Sequence, residues 1–259
     1  MSTDFGYKDP FVGTMKGVIL GINPDVRIID LTHGIPPQDL TAVALVLRHS
    51  VAFFPPGTIH VAVVDPGVGT FRRPVLAESE GHFFIGPDNG IISFAIEGKE
   101  TSHIIHLCND RYHLKPISAT FHGRDIFAPV AAHLSLGTPL KSFGTKVESL
   151  ERLDWPVVVK TSDSIQGRVV YVDHFGNLIT NIDAKDLEGL KSKIFTIFMG
   201  QLNLHGLSPN YSSEDNNGYA ALINSWGLLE ISLFKGNAQL SCGAKVGDRI
   251  DIKGVPAVS

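Results

Sequence analysis

Two groups of polar residues in the first half of the chain combine side chains that could do chemistry: Asp65 with Arg72, and His122 with Arg124 and Asp125. Asp65 directly ends the β-branched run Thr58 to Val64, so we expect its carboxylate to be partly buried and to need a cationic partner. Arg72 follows after a short glycine-rich turn and is within reach of Asp65. Such a pair would hold the guanidinium in a fixed orientation, and a neutral imidazole such as that of His122 can accept a proton.

Each of these residues also has a purely structural interpretation. The Asp65 segment, DPGVGTFRR, is compatible with a type II turn and a surface ion pair. His122 precedes a predicted helix, where Arg124 and Asp125 could form an ion pair at the helix start. The glycines of the turn match neither GxGxxG nor a P-loop, which argues against phosphate binding.

Further polar clusters could bind a nucleoside. Asp4 and Asp9 lie in TDFGYKDP; they could serve a turn and a helix cap, or one carboxylate could accept two hydrogen bonds from a ribose diol. In the second half, Asp173 to Asn177 (DHFGN) predicts a hairpin turn in which the Asn177 amide could read a base edge. The segment Asn224 to Gly227 (NSWG) is similar in character.

The elements that must position these residues are of two kinds. The first half alternates predicted helices and strands, which favours an α/β domain with a largely parallel central sheet. Its predicted helices span Val12 to Ile22, Asp39 to Phe53 and Gly123 to Leu136, and its predicted strands span Val26 to Leu31, Thr58 to Val64, His82 to Ile85 and Ile104 to Leu107. Ligands in such domains bind at loops that follow the strands, where the polar clusters lie.

The second half is mostly short strands separated by turn residues, which predicts a smaller β-barrel domain. Its predicted strands are Gln166 to Val172, Leu178 to Ile182, Ile194 to Met199, Tyr219 to Ile223, Leu228 to Leu233 and Arg249 to Ile252. The predicted secondary structure changes near Trp155, which predicts one domain over residues 1–155 and another over 156–259.

Composition limits the class of protein. The net charge of −4 argues weakly against a nucleic-acid or anionic-membrane partner. Only two cysteines are present, Cys108 and Cys242, so a disulfide framework is not expected and a reducing cytoplasm fits. No apolar run is long enough for a spanning helix, and the N-terminus does not have the pattern of a signal peptide. No HExxH or similar metal motif occurs, so we expect neither a metal nor a cofactor.

Taken in order, TDFG, DPGVGTFRR, TFHGRD, DHFGN and NSWG resemble one family. It is the S-adenosylmethionine (SAM) hydroxide adenosyltransferase family, also called adenosine-forming SAM hydrolase, which is related to the SAM-dependent halogenases. The resemblance covers nearly the whole chain, and the motifs are specific as a set. It implies an enzyme that splits SAM into adenosine and L-methionine by attack of an activated water on C5′.

The resemblance also implies roles for individual residues. Asp65, Arg72 and His122 match the catalytic trio, Asp4 the ribose-binding carboxylate, and Asp9 a position near the substrate. Asp173 matches a contact to the methionine amino group, Phe175 and Asn177 match adenine-side positions, and Ser225 matches a carboxylate contact. A homotrimer is implied, with SAM bound between the N-terminal domain of one subunit and the C-terminal domain of its neighbour.

Two features depart from the family pattern. Only Met1, Ser2 and Thr3 precede Asp4, where family members carry several apolar residues that form a first strand. Trp226 stands where the halogenases have Arg.

Three other functions are weighed against hydrolysis. A halogenase would capture a halide, but an anion pocket should avoid a carboxylate, and Asp65 stands where the fluorinase carries an uncharged residue. A sensor that binds SAM or adenosine without turnover would need the same binding residues. A metal-dependent hydrolase would need a ligand motif that the sequence does not contain.

Overall fold

The chain folds into two compact units. The computed structural model describes residues 1–190, 194–212 and 216–255. The first unit is Met1–Asp154, and the second begins at Trp155. Each unit has its own hydrophobic core.

The first unit combines a mixed sheet with helices. Its elements are β1 (Ser2–Thr3), α1 (Phe11–Ile22), α2 (Leu40–Ser50), β2 (Ile59–Val63), β3 (Pro74–Ser79), β4 (His82–Pro87), α3 (Ile91–Ala95), β5 (Thr101–His106), α4 (Ala128–Ser135) and β6 (Thr145–Lys146). Short 3-10 helices span Val51–Phe53, Asp110–Tyr112 and Leu140–Ser142, and a π-helical turn spans Gly123–Phe127.

The strand order of this sheet is β1-β2-β4-β3-β5-β6. The pairs β1–β2 and β2–β4 are parallel, and the other three pairs are antiparallel. The predicted α/β class is confirmed, with the parallel strands at one side of the sheet. In the β1–β2 register Thr3 lies opposite Val63, so the residues that follow both strands leave the sheet at the same edge.

The predicted helices of this unit form because their apolar residues recur with helical period. Helix α1 buries Val12, Met15 and Ile19. Helix α2 begins after Asp39, whose side chain accepts a hydrogen bond from the Ala42 N–H at 2.8 Å. The helix predicted from Gly123 begins as the π-helical turn and continues as α4.

One predicted strand of this unit does not form, and β3 forms although it was not predicted. Residues 26–30 carry no strand hydrogen-bond pattern, although the segment runs beside β1 and forms a parallel bridge from Thr32 to Ser2. Strand β1 has only two residues, so it offers this segment too short a partner for a ladder. Strand β3 was not predicted, since its apolar run is only Val75 to Ala77 before Glu78 and Ser79, yet β3 pairs with both β4 and β5.

The second unit is a β-barrel that is not fully closed. Its elements are β7 (Val159–Lys160), β8 (Ser164–Val172), β9 (Leu178–Asp183), β10 (Ile194–Met199), β11 (Leu202–His205), β12 (Tyr219–Ile223), β13 (Leu228–Leu233), α5 (Ala238–Cys242) and β14 (Arg249–Val255), with 3-10 helices at Glu188–Leu190 and Asn216–Gly218. The strand order is β11-β10-β14-β8-β9-β13-β12, and β7 pairs with β8. After β11, the Ser208 N–H donates to Ala221 O of β12 at 2.7 Å, which brings the two ends of the sheet together.

Candidate active site

Asp65, Arg72 and His122 form one hydrogen-bonded network. The Arg72 Nε donates to Asp65 Oδ1 at 2.9 Å and to Oδ2 at 3.0 Å, and its Nη2 lies 2.5 Å from Oδ2. The same Nη2 lies 2.6 Å from His122 Nδ1. The side chains of Arg72 and Asp65 are only 10% and 6% exposed, so this charge pair is largely removed from water. The structure therefore brings the three predicted residues together.

The loop between Asp65 and Arg72 depends on a glycine. Gly69 has a φ of +77°, and a Cβ at this position would lie 2.4 Å from the backbone oxygen of Ala119. This close approach packs the loop against the segment that leads to His122. Only glycine satisfies both the positive φ and the short separation.

The surroundings of His122 favour its neutral form. Burial lowers the pKa of His122, and the positive charge of Arg72 lowers it further, with smaller opposing effects from Asp65 and Asp125. Because Arg72 is a donor, His122 Nδ1 accepts, and a neutral ring then carries its proton on Nε2. The ring of Phe127 covers the guanidinium, with a distance of 5.5 Å from Arg72 Cζ to the ring centroid.

Arg72 keeps unused donor capacity inside this network. Arg72 Nη1 is buried and has no hydrogen-bond partner among the described residues. A buried guanidinium N–H without an acceptor is costly, so this position favours an anion or a water oxygen next to it.

Asp4 and Asp9 lie on the segment that follows β1. Asp4 Oδ2 accepts a hydrogen bond from the Gln38 N–H at 2.8 Å, and Asp9 is exposed. Phe5, next to Asp4, packs edge-to-face on Phe121, next to His122, with a distance of 5.9 Å between ring centroids. This aromatic contact joins the Asp4 segment to the His122 segment.

In the second unit, Asp173 and Asn177 bind each other. Asp173 Oδ1 accepts from the N–H groups of Phe175 and Asn177 at 2.9 and 2.8 Å, and Oδ2 accepts from Asn177 Nδ2 at 2.9 Å. Asn177 is buried, whereas Phe175 is 71% exposed. The turn thus presents an aromatic ring to solvent and uses its two polar side chains to hold its own shape.

Ser225 lies exposed in a second turn of this unit, which Asn224 organises. Asn224 Oδ1 accepts from the Trp226 N–H at 2.9 Å and the Leu228 N–H at 3.2 Å, while its Nδ2 donates to the buried Glu230 at 3.0 Å. The pKa of Glu230 is raised, mainly because its carboxyl group is buried. The structure places Asp173, Phe175, Asn177 and Ser225 in two turns of the same unit.

Two residues near the network of Asp65, Arg72 and His122 were not predicted from the sequence. Asn89 Nδ2 donates to Val64 O, directly before Asp65, at 3.0 Å. Asp88 pairs with Arg73, directly after Arg72, at 2.5 Å. The signal in the sequence was a polar cluster, Asp88-Asn89-Gly90, after an apolar strand, which is the same pattern that pointed to the other sites.

A cavity of about 540 Å³ lies elsewhere in the first unit. Its lining includes Met1, residues 26–29 and residues 59–61. The cavity therefore lies beside the first residue of β1, between β2 and the 26–29 segment. Among the described residues, those that line it do not include Asp65, Arg72 or His122. The cavity is therefore separate from the three residues that the sequence predicts to act in the reaction.

Comparison with known proteins assigns the chain to a family. The family model for the SAM hydroxide adenosyltransferase N-terminal domain matches residues 1–144, and the model for the C-terminal domain matches residues 167–251. The chain belongs to the SAM hydroxide adenosyltransferase family. The motifs that suggested this family lie within or beside the matched ranges.

Individual relatives agree with this assignment. The chain is 36% identical to the (R)-S-adenosyl-L-methionine hydrolase of Salinispora tropica, covering 97% of this chain and 95% of that protein. A fluorinase of Nocardia brasiliensis is more distant at 27% identity, with 97% and 95% covered. A crystal structure of an uncharacterized conserved protein from Thermotoga maritima superposes with a TM-score of 0.88 at 35% identity, covering 97% of this chain and 98% of that one.

The structure also bears on membrane and metal binding. None of the helices in residues 1–190, 194–212 and 216–255 has the length and apolar character that crossing a bilayer requires. The same residues contain no group of three or more His, Cys, Asp or Glu side chains arranged to hold a metal ion.

Proposed function

We propose that this protein hydrolyses SAM to adenosine and L-methionine, by in-line attack of a water or hydroxide on C5′ of the ribose. The observation that carries the proposal is the buried, unpartnered Nη1 of Arg72, in a guanidinium held by Asp65 and bonded to His122. The similarity to the Salinispora tropica hydrolase over nearly the full chain supports the choice of substrate.

The chemistry needs help at the nucleophile and not at the leaving group. SAM carries a sulfonium, so methionine departs as a neutral thioether and needs no general acid. Water is a weak nucleophile at neutral pH, and a site can help by stabilising hydroxide, excluding bulk water and aligning oxygen, carbon and sulfur. Arg72 Nη1 supplies the electrostatic stabilisation in this proposal.

The hydrogen bonds suggest which residue accepts the proton. His122 Nδ1 already accepts from Arg72, and Nε2 of the neutral ring carries a proton, so neither nitrogen is a free acceptor. Asp65 Oδ1 accepts one hydrogen bond and keeps a lone pair. We therefore propose that Asp65 accepts the proton from the water and that His122 orients the guanidinium of Arg72.

The binding residues follow the family resemblance. Asp4 would accept hydrogen bonds from the ribose hydroxyls, and Asp9 would lie near the substrate. Asp173 would contact the methionine amino group, Phe175 and Asn177 the adenine, and Ser225 the carboxylate. The exposed ring of Phe175 suits stacking on a base. Asn177 Nδ2 already donates to Asp173. A contact between Asn177 and adenine would therefore use the amide oxygen of Asn177 or the second N–H of Nδ2, or would need the side chain to rotate away from Asp173.

We further propose a homotrimer in the cytoplasm, with each site completed by a neighbouring subunit. Analytical ultracentrifugation gives the oligomeric state directly. A monomer that turns over SAM at full rate would contradict the shared site.

A single incubation tests the proposed reaction. The protein is mixed with SAM in water enriched in ¹⁸O, and the products are identified by mass spectrometry. We expect adenosine with one ¹⁸O at the 5′ position, and methionine without it. Parallel samples contain chloride, fluoride or EDTA. A halogenated nucleoside would favour a halogenase, loss of activity in EDTA a metal-dependent hydrolase, and intact SAM despite measurable binding a sensor.

A further inference from the structure

The loop that joins Asp65 to Arg72 is hydrogen-bonded at both ends to the same dipeptide. That dipeptide is Asp88-Asn89, which directly follows β4. Strand β4 runs parallel to β2, so it ends at the same edge of the sheet as the strand that leads to Asp65. The dipeptide has no role in the proposed chemistry described above.

Asn89 holds the start of the loop. Its Nδ2 donates to the backbone oxygen of Val64 at 3.0 Å, and Val64 is fully buried directly before Asp65. Its Oδ1 is buried and has no hydrogen-bond partner among the described residues. A half-satisfied buried amide is costly, which indicates that the amide is present for the contact it makes.

Asp88 holds the end of the loop. Its Oδ2 accepts from Arg73 Nε at 2.9 Å and lies 2.5 Å from Arg73 Nη2, and its own N–H donates to Arg73 O at 2.9 Å. Asp88 Oδ1 accepts from the Glu151 N–H at 2.8 Å. With its side chain 1% exposed, Asp88 fixes both the backbone and the side chain of the residue after Arg72.

We propose that Asp88 and Asn89 are positioning residues, which set the distance and orientation between the Asp65 carboxylate and the Arg72 guanidinium. The inference rests on the proposed function for its effect on turnover. It follows from the position of the two contacts, one residue before Asp65 and one residue after Arg72. A displacement of about 1 Å within a catalytic group can cost on the order of 10²-fold in rate.

The test compares Asn89→Ala and Asp88→Asn with a matched control. Asn109→Ala removes the same kind of contact elsewhere in the unit, where Asn109 Nδ2 donates to Ser142 O at 2.7 Å. We expect kcat to fall by about 10- to 100-fold in both test variants, with KM within about twofold, because the loop acts in the reaction step. The control should keep the wild-type kcat even if its melting temperature falls.

A second measurement does not need turnover. The pKa of His122, followed by NMR, depends on the positions of Arg72 and Asp65. It should move in Asn89→Ala and Asp88→Asn and stay unchanged in Asn109→Ala. Wild-type kcat together with an unmoved His122 pKa in the test variants would overturn the positioning role. Intact SAM with the wild-type protein would instead overturn the proposed function, while the NMR result would still decide the positioning role.

Discussion

Arg72 is the side chain whose loss should affect turnover most. It contacts Asp65 and His122 and has one further buried N–H group. We expect Arg72→Ala to lower kcat by roughly 10² or more, the scale of losing one preorganised donor. The kcat of Arg72→Lys should lie between those of the wild type and Arg72→Ala, because an ammonium keeps the charge and loses the bidentate geometry.

The control for these variants is Arg48→Ala, since Arg48 pairs with Glu97 at 3.0 Å on the surface. Steady-state kinetics of all three variants provide the comparison. Equal kcat values for Arg72→Ala and the wild type would remove Arg72 from the mechanism.

His122 gives a prediction about pH. Its pKa is lowered from 6.5, so the folded state binds the proton less tightly than the unfolded state. The neutral His122 ring therefore makes its full contribution to the free energy of unfolding above about pH 6.5. This contribution is lost as the pH falls through the lowered pKa that His122 has in the folded protein. Activity should decrease over the same acidic range, because a protonated Nδ1 no longer accepts from Arg72.

An NMR titration of the His122 ring checks this order of events. In Arg72→Ala the pKa should rise toward the ordinary value, since the neighbouring positive charge is gone. A pKa above 6.5 in the wild-type protein would contradict the neutral ring.

At the scale of elements, the turn between β2 and β3 depends on Gly69. Gly69→Ala should destabilise the protein by more than the about 1–2 kcal/mol that a positive φ costs an L-residue, because its Cβ would also meet Ala119 O. Its kcat should fall as well, since the turn carries Arg72.

Gly98→Ala is the matched control for that substitution. Gly98 has nearly the same φ, +78°, and no atom within 4 Å of the added Cβ. It should show the backbone cost alone and keep kcat. Urea denaturation of both variants gives the comparison, and equal losses of stability would show that the contact with Ala119 can relax.

Sequence patterns found the three longer helices, α1, α2 and α4, and most strands, because their apolar residues repeat with a clear period, but they missed the five-residue helices α3 and α5. They failed where neighbours in space decide the outcome. Strand β3 is stabilised by pairing on both sides despite its polar residues, whereas residues 26–30 lack a full partner despite their apolar character. Asp65 and Arg72 could be paired in advance because they are close in sequence. Asn89 could not, because its contact to Val64 depends on the adjacency of β2 and β4.

The sheet of the first unit is divided between a parallel side, whose strands lead into Asp4, Asp65 and Asn89, and an antiparallel side. The outer strands β5 and β6 carry none of the predicted site residues, and the exposed thiol of Cys108 lies just after β5. A maleimide fluorophore attached there would sit at the far end of the strand order from β1. The protein thus has a native attachment point for an optical probe that leaves Asp65, Arg72 and His122 unaltered, and the half-buried Cys242 is the other free thiol among the described residues.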